Sequence, residues 1–533
     1  MEAIGGVAVF LALLLAQARG WHPCERQCLP DEQPKNCYYQ FTLGVSHLKC
    51  VHAESEECQR RMAMSINGYS PGPYISVCEN DVITVDVKNI LPAGMEASIH
   101  WHGLRQRGTP FMDGTPMVTQ CPIHSGTTFT YRMKADRPGT FYYHAHSVSQ
   151  QLDGLYGALI VRRGPETREK VMLLAPQLQQ LTSFRSSPLN DLTVSDLKLT
   201  EHHIGNGSTT ERIRLINAAA LDCPLSIISD TVITALDGNP IKPTDAHHFL
   251  LYPGERMDIV PADLTILGRN MCDGYTITEN IEAPVPEIDL PNYYNQFRSV
   301  SPIKLDKEAQ RIYVPFDVTH YPHQDNDFRY KLGEVLSYTP PFIGDAAQFA
   351  NLSFAYPSSP ILTQREEVDD DMICTLERRA RRCDSIKFCE CVQILTLPYN
   401  TSVDLVLIDE GRNGNTDQVL HLHGYSFHLL AMSSFEEPVT ADKIKSLIDL
   451  NLNLVKPIEK DTIVVPRKGY SVLRLKTDNP GYWLLESVAS KARSGIGLEM
   501  LVHVPDPSGP LPVPKNFPRC RSLKPQDMVF MDE

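Results

Sequence analysis

Three His-x-His pairs, His100/His102, His144/His146 and His421/His423, limit most strongly how this chain can fold. In an extended strand, residues i and i+2 share a face. Each pair therefore aims two imidazoles one way and turns Trp101, Ala145 or Leu422 the other. One such pair is common by chance. Three of them, two followed directly by glycine (Gly103 and Gly424), point to strands whose histidines converge on one place. Imidazole suits copper, zinc and iron, and clusters of neutral nitrogen ligands favour copper among the available divalent ions.

The rest of the chain also reads as β structure. From 61 to 163, stretches such as VITVDVKNI, FTYRM and ALIVRR alternate or run apolar between Gly/Pro turns, and VMLLAP, ERIRLINAA and HHFLLYPGE continue the pattern to about 320. VQILTL, VDLVLIDE and LEMLVHV follow, and the 40 prolines suit a chain with many turns. Residues 4–16 form an apolar stretch too short to span a membrane, with small-x-small cleavage candidates at 16–18 and 18–20. No second apolar run of membrane length follows, so the expectation is a secreted, extracellular protein. Fourteen cysteines, all beyond residue 20, imply up to seven disulfides in an oxidising compartment. Asn206, Asn351 and Asn400 head N-glycosylation sequons. A formal net charge of −14 argues against nucleic acid or an anionic membrane as partner.

The runs around the histidines carry a family resemblance. HWHGLRQRGTPFMDGTPMVTQCPI at 100–123, GTFYYHAHSVSQQLDGLYGALIV at 139–161 and HLHGYSF at 421–427 resemble the copper motifs of laccase-type multicopper oxidases. The cysteine-rich lead-in and FCECVQIL resemble the arthropod branch, in particular the multicopper oxidase-related proteins that lack type 1 copper ligands. The resemblance implies an all-β fold of three consecutive cupredoxin-like Greek-key β-barrel domains after a signal peptide (1–20) and a cysteine-rich segment (21–60). Their expected spans are 61–165, 166–325 and 326–533. It also implies a type 1 copper in the last domain and a trinuclear cluster between the first and last.

Carried over residue by residue, the type 2 ligands fall on His100 and His421, and four of the type 3 ligands on His102, His144, His146 and His423. The remaining positions hold Gln418, Glu486, Ser487, Val488 and Ala492. A blue-copper site needs a thiolate and two imidazoles, and Gln418, Ser487 and Ala492 supply none of them. The expectation is a protein without type 1 copper that acts by binding metal, a small ligand or an extracellular partner. The alternative is residual copper-dependent oxidoreductase chemistry at the remaining histidines. Copper is expected at reduced stoichiometry, at His100 and His421 with Glu486 as a nearby carboxylate. The other reading of the six histidines is a packed, metal-free cluster.

The same resemblance suggests a Cys121–Cys520 clamp between first and last domains, against pairing of Cys121 within the first. His202, His203, His247, His248, His320 and His323 read as surface-loop residues and His428 as core. The charged stretch 366–382 reads as an exposed loop. Within it, Arg379-Ala-Arg-Arg382 fits a proprotein-convertase site, with Cys374–Cys383 or Cys121–Cys520 spanning the cut. The competing reading is a solvated basic loop that balances the acidic run beside it.

Overall fold

A computed structural model describes residues 22–47, 62–164, 169–178, 181–184, 194–204, 212–220, 224–262, 267–270, 288–306, 308–321, 330–332, 336–338, 344–383, 389–411, 417–447, 452–487 and 498–520. The signal peptide, Asn206, His323, Val488 and Ala492 lie outside these residues.

Strand alternation builds the first domain. In Thr128–Lys134 (TFTYRMK), Phe129, Tyr131 and Met133 are buried while the residues between them are exposed, which is the pattern of a sheet with one wet face. This strand closes a four-stranded sheet ordered Met62–Ile66, Asn36–His47, Val82–Asn89, Thr128–Lys134. A second sheet, ordered Ile75–Cys78, Tyr156–Arg162, Gly139–Ala145, Ile99–His102, carries the first two His-x-His pairs. Its strands are buried throughout, since other parts of the molecule cover their far face. Phe41, Ile83, Val85, Trp101, Tyr131, Phe141 and Tyr143 belong to the core of this domain.

A larger sheet follows, ordered Val194–Ile204, Glu169–Leu178, Arg212–Asn217, Arg256–Pro261, Leu225–Leu236, Asn239–Leu251. The third region has two large sheets, besides a two-stranded one of Tyr330–Leu332 and Leu336–Tyr338. One runs Gly344–Phe349, Gln310–Tyr321, Ser402–Asp409, Gly469–Lys476, Phe427–Ser434, Ile458–Lys460. The other runs Ser353–Phe354, Glu390–Thr396, Glu499–Val504, Gly481–Ser487, Gln418–Leu422, Thr462–Val465. The second and third regions share one apolar core that includes Phe249, Phe297, Phe316, Leu405, Phe427 and Trp483. The fold is all-β, and its described α-helices are short: Val148–Leu152, Leu290–Asn295 and Ala441–Leu447. Among the described residues no helix is long and apolar enough to cross a membrane.

Several sequence expectations are corrected. Within the segment 21–60, Asn36–His47 is not a separate prelude, because it pairs in parallel with Val82–Asn89. Gln310–Tyr321, expected in the second domain, pairs with Gly344–Phe349 and Ser402–Asp409 of the third. An apolar run marks a strand but not the sheet that strand joins. His202, His203, His247, His248 and His320 lie in strands rather than loops. His428 is only half-buried, at the start of Phe427–Ser434.

Five disulfides join ten of the cysteines, and no described cysteine is free. Cys121 pairs with Cys520 across 399 residues. The tail that delivers Cys520 is further held by Gln364, which bonds both its N–H and its carbonyl, and by Phe517 against Phe111 and Phe129. Cys374 pairs with Cys391, and Cys383 with Cys389, rather than with each other. The stretch 366–382 is correspondingly folded: Val368, Ile373, Cys374 and Ala380 are buried, and Arg381–Cys383 is a 3-10 turn. Arg379 and Arg381 remain exposed.

Candidate metal centre

The six histidines of the three pairs meet at one place between the first and third domains. His100 and His144 lie directly opposite each other on paired antiparallel strands, so they share a face. His421 lies opposite Glu486 on one side and Thr462 on the other. Ring centroids are 5.4 Å apart for His100–His144, 3.9 Å for His100–His423 and 3.7 Å for His102–His421. The glycine after two of the three pairs is required by what surrounds it. Gly103 (φ +92°) would set a Cβ against Arg256 and Phe141, and Gly424 (φ +70°) would set one into the Trp483 ring.

Three tautomers can be read from their partners. His100, His144 and His421 place Nδ1 at 2.8, 2.9 and 3.0 Å from the carbonyls of Asp113, Ala145 and Asp461. A carbonyl only accepts, so each Nδ1 carries the proton and each Nε2 keeps a lone pair. Those three Nε2 atoms are buried and have no hydrogen-bond partner among the described residues. Burial holds His100 below its ordinary pKa and His144 and His421 well below it, and it lowers His102 to about 3. Neutral imidazoles with inward lone pairs are what a copper- or zinc-class ion requires. One atom from each of His100, His102 and His144 comes within 4.8 Å of the others, and the same holds for His100, His421 and His423. The residues fit such an ion.

The other edge of the cluster differs. Glu486 Oε1 lies 3.1 Å from His423 Nε2 and 3.3 Å from His146 Nε2. This corrects the expectation that Glu486 would serve the His100/His421 pair. Glu486 lies opposite His421 on paired strands, but its carboxylate reaches His423 and His146. His423 also donates from Nδ1 to Asp113 Oδ2 at 2.8 Å. Burial opposes a charge on His423, but Asp113 and Glu486 outweigh it and raise its pKa to about 10. In the metal-free protein His423 is thus an imidazolium between two carboxylates.

Ser487 follows Glu486 on the same strand and so points to the opposite face. It is buried, with Oγ 3.5 Å from Gln418 Oε1. Two of the three positions that the family resemblance assigns to type 1 copper are therefore neighbours here, and they hold a hydroxyl and a carboxamide.

Sequence reasoning missed the frame around the histidines. Arg256 of the second region grips Asp461 of the third through two bonds of 2.6 and 2.5 Å, and its Nε donates to the Thr140 carbonyl of the first. Lys460 lies 3.0 Å from both Asp237 and Glu255, and all these groups are buried. Asp461 accepts from the Thr462 hydroxyl, whose oxygen faces His102 and His421 at 2.9 and 3.1 Å. The network therefore fixes the rings from three domains. Asp113 and Thr115, within the MDGT stretch of the first motif, hold His100 and His423. The MDGT spacing was visible in sequence, but the Arg256–Asp461 pair, 205 residues apart, carried no local signal.

Comparisons with known proteins agree with this geometry. Two family models, both described as Multicopper oxidase, match residues 48–166 and 356–506. The chain is 25% identical to Laccase-4 of Arabidopsis thaliana, with 91% of this chain and 95% of that protein covered. It is 27% identical to the L-ascorbate oxidase of Brassica rapa subsp. pekinensis, covering 80% and 86%. Among solved structures, Fet3p, a multicopper oxidase that functions in iron import, superposes with a TM-score of 0.65 at 18% identity, covering 88% and 90%. The laccase from Botrytis aclada gives 0.63 at 21%, covering 89% and 88%. These two structures support the fold alone.

Proposed function

The chain belongs to the multicopper oxidase family, and from that premise we propose that it is a secreted member that has lost type 1 copper, no longer performs laccase chemistry and acts by binding. The observation that carries this reading is the buried Ser487–Gln418 pair where the family's thiolate and imidazole would sit. A serine hydroxyl is barely acidic and forms no soft covalent bond to copper. No other sulfur takes its place among the described residues, whose cysteines are all disulfide-bonded. Losing the cysteine also removes the electron path into the cluster, because its neighbours in sequence would be type 3 ligands and are here Glu486 and Val488.

The retained histidines support metal binding without turnover. Asp113, Asp461 and Thr462 orient the rings, and the buried site keeps bulk water from their Nε2 atoms. Copper there would supply Lewis-acid and one-electron chemistry when bound, at about one or two ions per chain. Five disulfides support an extracellular location. Asn351 and Asn400 are exposed, as glycan acceptors must be. The partner in this reading is an extracellular protein or small ligand rather than nucleic acid or membrane. The cysteine-rich lead-in and FCECVQIL stretch support a likeness to the arthropod multicopper oxidase-related proteins.

The intact imidazole set of His100, His102, His144 and His421 favours a second reading, a residual copper-dependent oxidoreductase. Oxygen uptake by the copper-loaded protein with a diphenol or ferrous iron separates the two. The binding reading expects none above a copper-free control, and sustained copper-dependent uptake would overturn it.

A further inference from the structure

We propose that Glu486 turns one edge of the cluster into a zinc-class site, in which His146, His423 and Glu486 hold a single divalent ion independently of the imidazole-only half. This rests on the reading that the type 3 pair is dismantled here. The distances suit it. A tetrahedral ion with ligands at roughly 2.0–2.1 Å places neighbouring ligand atoms roughly 3.3 Å apart. Glu486 Oε1 already stands 3.1 Å from His423 Nε2 and 3.3 Å from His146 Nε2, and the three donor atoms lie within 4.8 Å of one another.

A second observation concerns His146, whose Nε2 faces the Glu486 carboxylate at 3.3 Å. The His146 side chain is 4% exposed, and its Nε2 makes no hydrogen bond among the described residues. A buried ring nitrogen without a hydrogen bond is costly unless a ligand takes it up. The outer shell is in place as well. His423 donates Nδ1–H to Asp113 Oδ2, and the Thr115 hydroxyl donates to the same oxygen at 2.7 Å. This is the carboxylate–histidine arrangement that orients zinc-ligating imidazoles.

The chemistry of the donor set selects the ion. Two imidazoles and one carboxylate, with a fourth position left for water, form the donor set of mononuclear zinc centres. A hard carboxylate disfavours cuprous copper, and zinc itself has no redox chemistry. Glu486 lies opposite His421 on paired strands, yet its carboxylate reaches the His423 and His146 rings. The competing account is that Glu486 and His423 simply form a buried ion pair and take no metal.

The test uses the full secreted chain, stripped by chelator and dialysed against zinc chloride alone. At least one zinc per chain should remain, and in the His100→Gln, His421→Gln variant the zinc-edge absorption spectrum should fit two imidazoles and oxygen ligands. Cobalt in its place should give the visible bands of a four-coordinate ion. Glu486→Gln should weaken zinc binding by about 100-fold or more, whereas His100→Gln with His421→Gln should keep the zinc. Failure of the wild-type protein to retain zinc would overturn the proposal, even if every variant misfolded. So would zinc that survives Glu486→Gln and is lost from the His100/His421 variant. Neither result touches the loss of type 1 copper, which only a thiolate–copper absorption would contradict.

Discussion

The two edges of the histidine cluster share rings of the same kind, yet they are held in different ways. On the His102/His421 edge the rings rest on Thr462 and Asp461, and Asp461 is locked by Arg256 from another domain. The Nε2 lone pairs of His100, His144 and His421 are left for a metal. On the His146/His423 edge a carboxylate has entered, and His423 in the metal-free protein is charged between Asp113 and Glu486. One edge is a preserved ligand set in a rigid frame, and the other has changed its donor chemistry. Under the proposed loss of the thiolate, the difference teaches that a cluster need not dissolve uniformly. The face next to Ser487 changed, while the face supported by the domain junction did not.

The largest expected effect tests the rigid frame. Replacing Arg256 with Leu leaves Asp461 buried with Arg137 at 3.4 Å as its remaining guanidinium partner. Breaking one partner of a buried pair costs about 3–5 kcal/mol. Chemical denaturation should show a loss of that size together with weaker copper retention. A change below about 1 kcal/mol would mean the junction does not hold this edge.

The clamp comes next. Cys121→Ala with Cys520→Ala should destabilise the protein by about 2–4 kcal/mol through the reopened long loop. Copper retention should fall with it if the first and third domains must be held together to keep the cluster. Unchanged retention would locate the whole clamp in the Arg256–Asp461 junction instead.

Glu486→Gln should cost the metal-free protein about 1–3 kcal/mol, because His423 loses one of two charged partners. Thermal unfolding of chelator-stripped samples reads this directly. If the substitution is neutral, the carboxylate is not paired in the way described.

The pH dependence of the metal-free protein should separate the edges by sign. The folded pKa of His423 is raised to about 10, so its stabilisation is complete below about 6.5 and is lost as pH rises toward 10. The folded pKa values of His100, His144 and His421 are lowered by burial, and that of His102 to about 3. Their contribution is present above about 6.5 and is lost as pH falls below it. His423→Gln should remove the alkaline arm and leave the acid arm. Loss of both arms together would show that the two edges titrate as one unit.

Much of this was legible in the chain. A period of two placed the histidines on strand faces, and the glycines noted after two of the pairs, Gly103 and Gly424, stand where no side chain is admitted. The absence of cysteine at 487 could be read directly. The direction of the Glu486 side chain could not, so its carboxylate was expected at the His100/His421 pair and is found on His146 and His423. Long-range pairing was equally hidden. Nothing around Arg256 announces Asp461, and the spacing of Cys374, Cys383, Cys389 and Cys391 permits several pairings, of which the fold adopts 374–391 and 383–389. The same closure bears on the Arg379–Arg382 site. With Ala380 buried and Arg381–Cys383 in a tight turn, the folded protein should run as one full-length band under reducing conditions.

The most direct test of the central claim, that the thiolate–copper site is gone, is the absorption spectrum of the secreted, copper-loaded protein with its copper counted. The account expects no intense blue band, about one or two coppers per chain, and no colour gained by Ser487→Cys alone, since Gln418 still withholds an imidazole. An intense blue band in the unmutated protein, with four coppers bound, would contradict it.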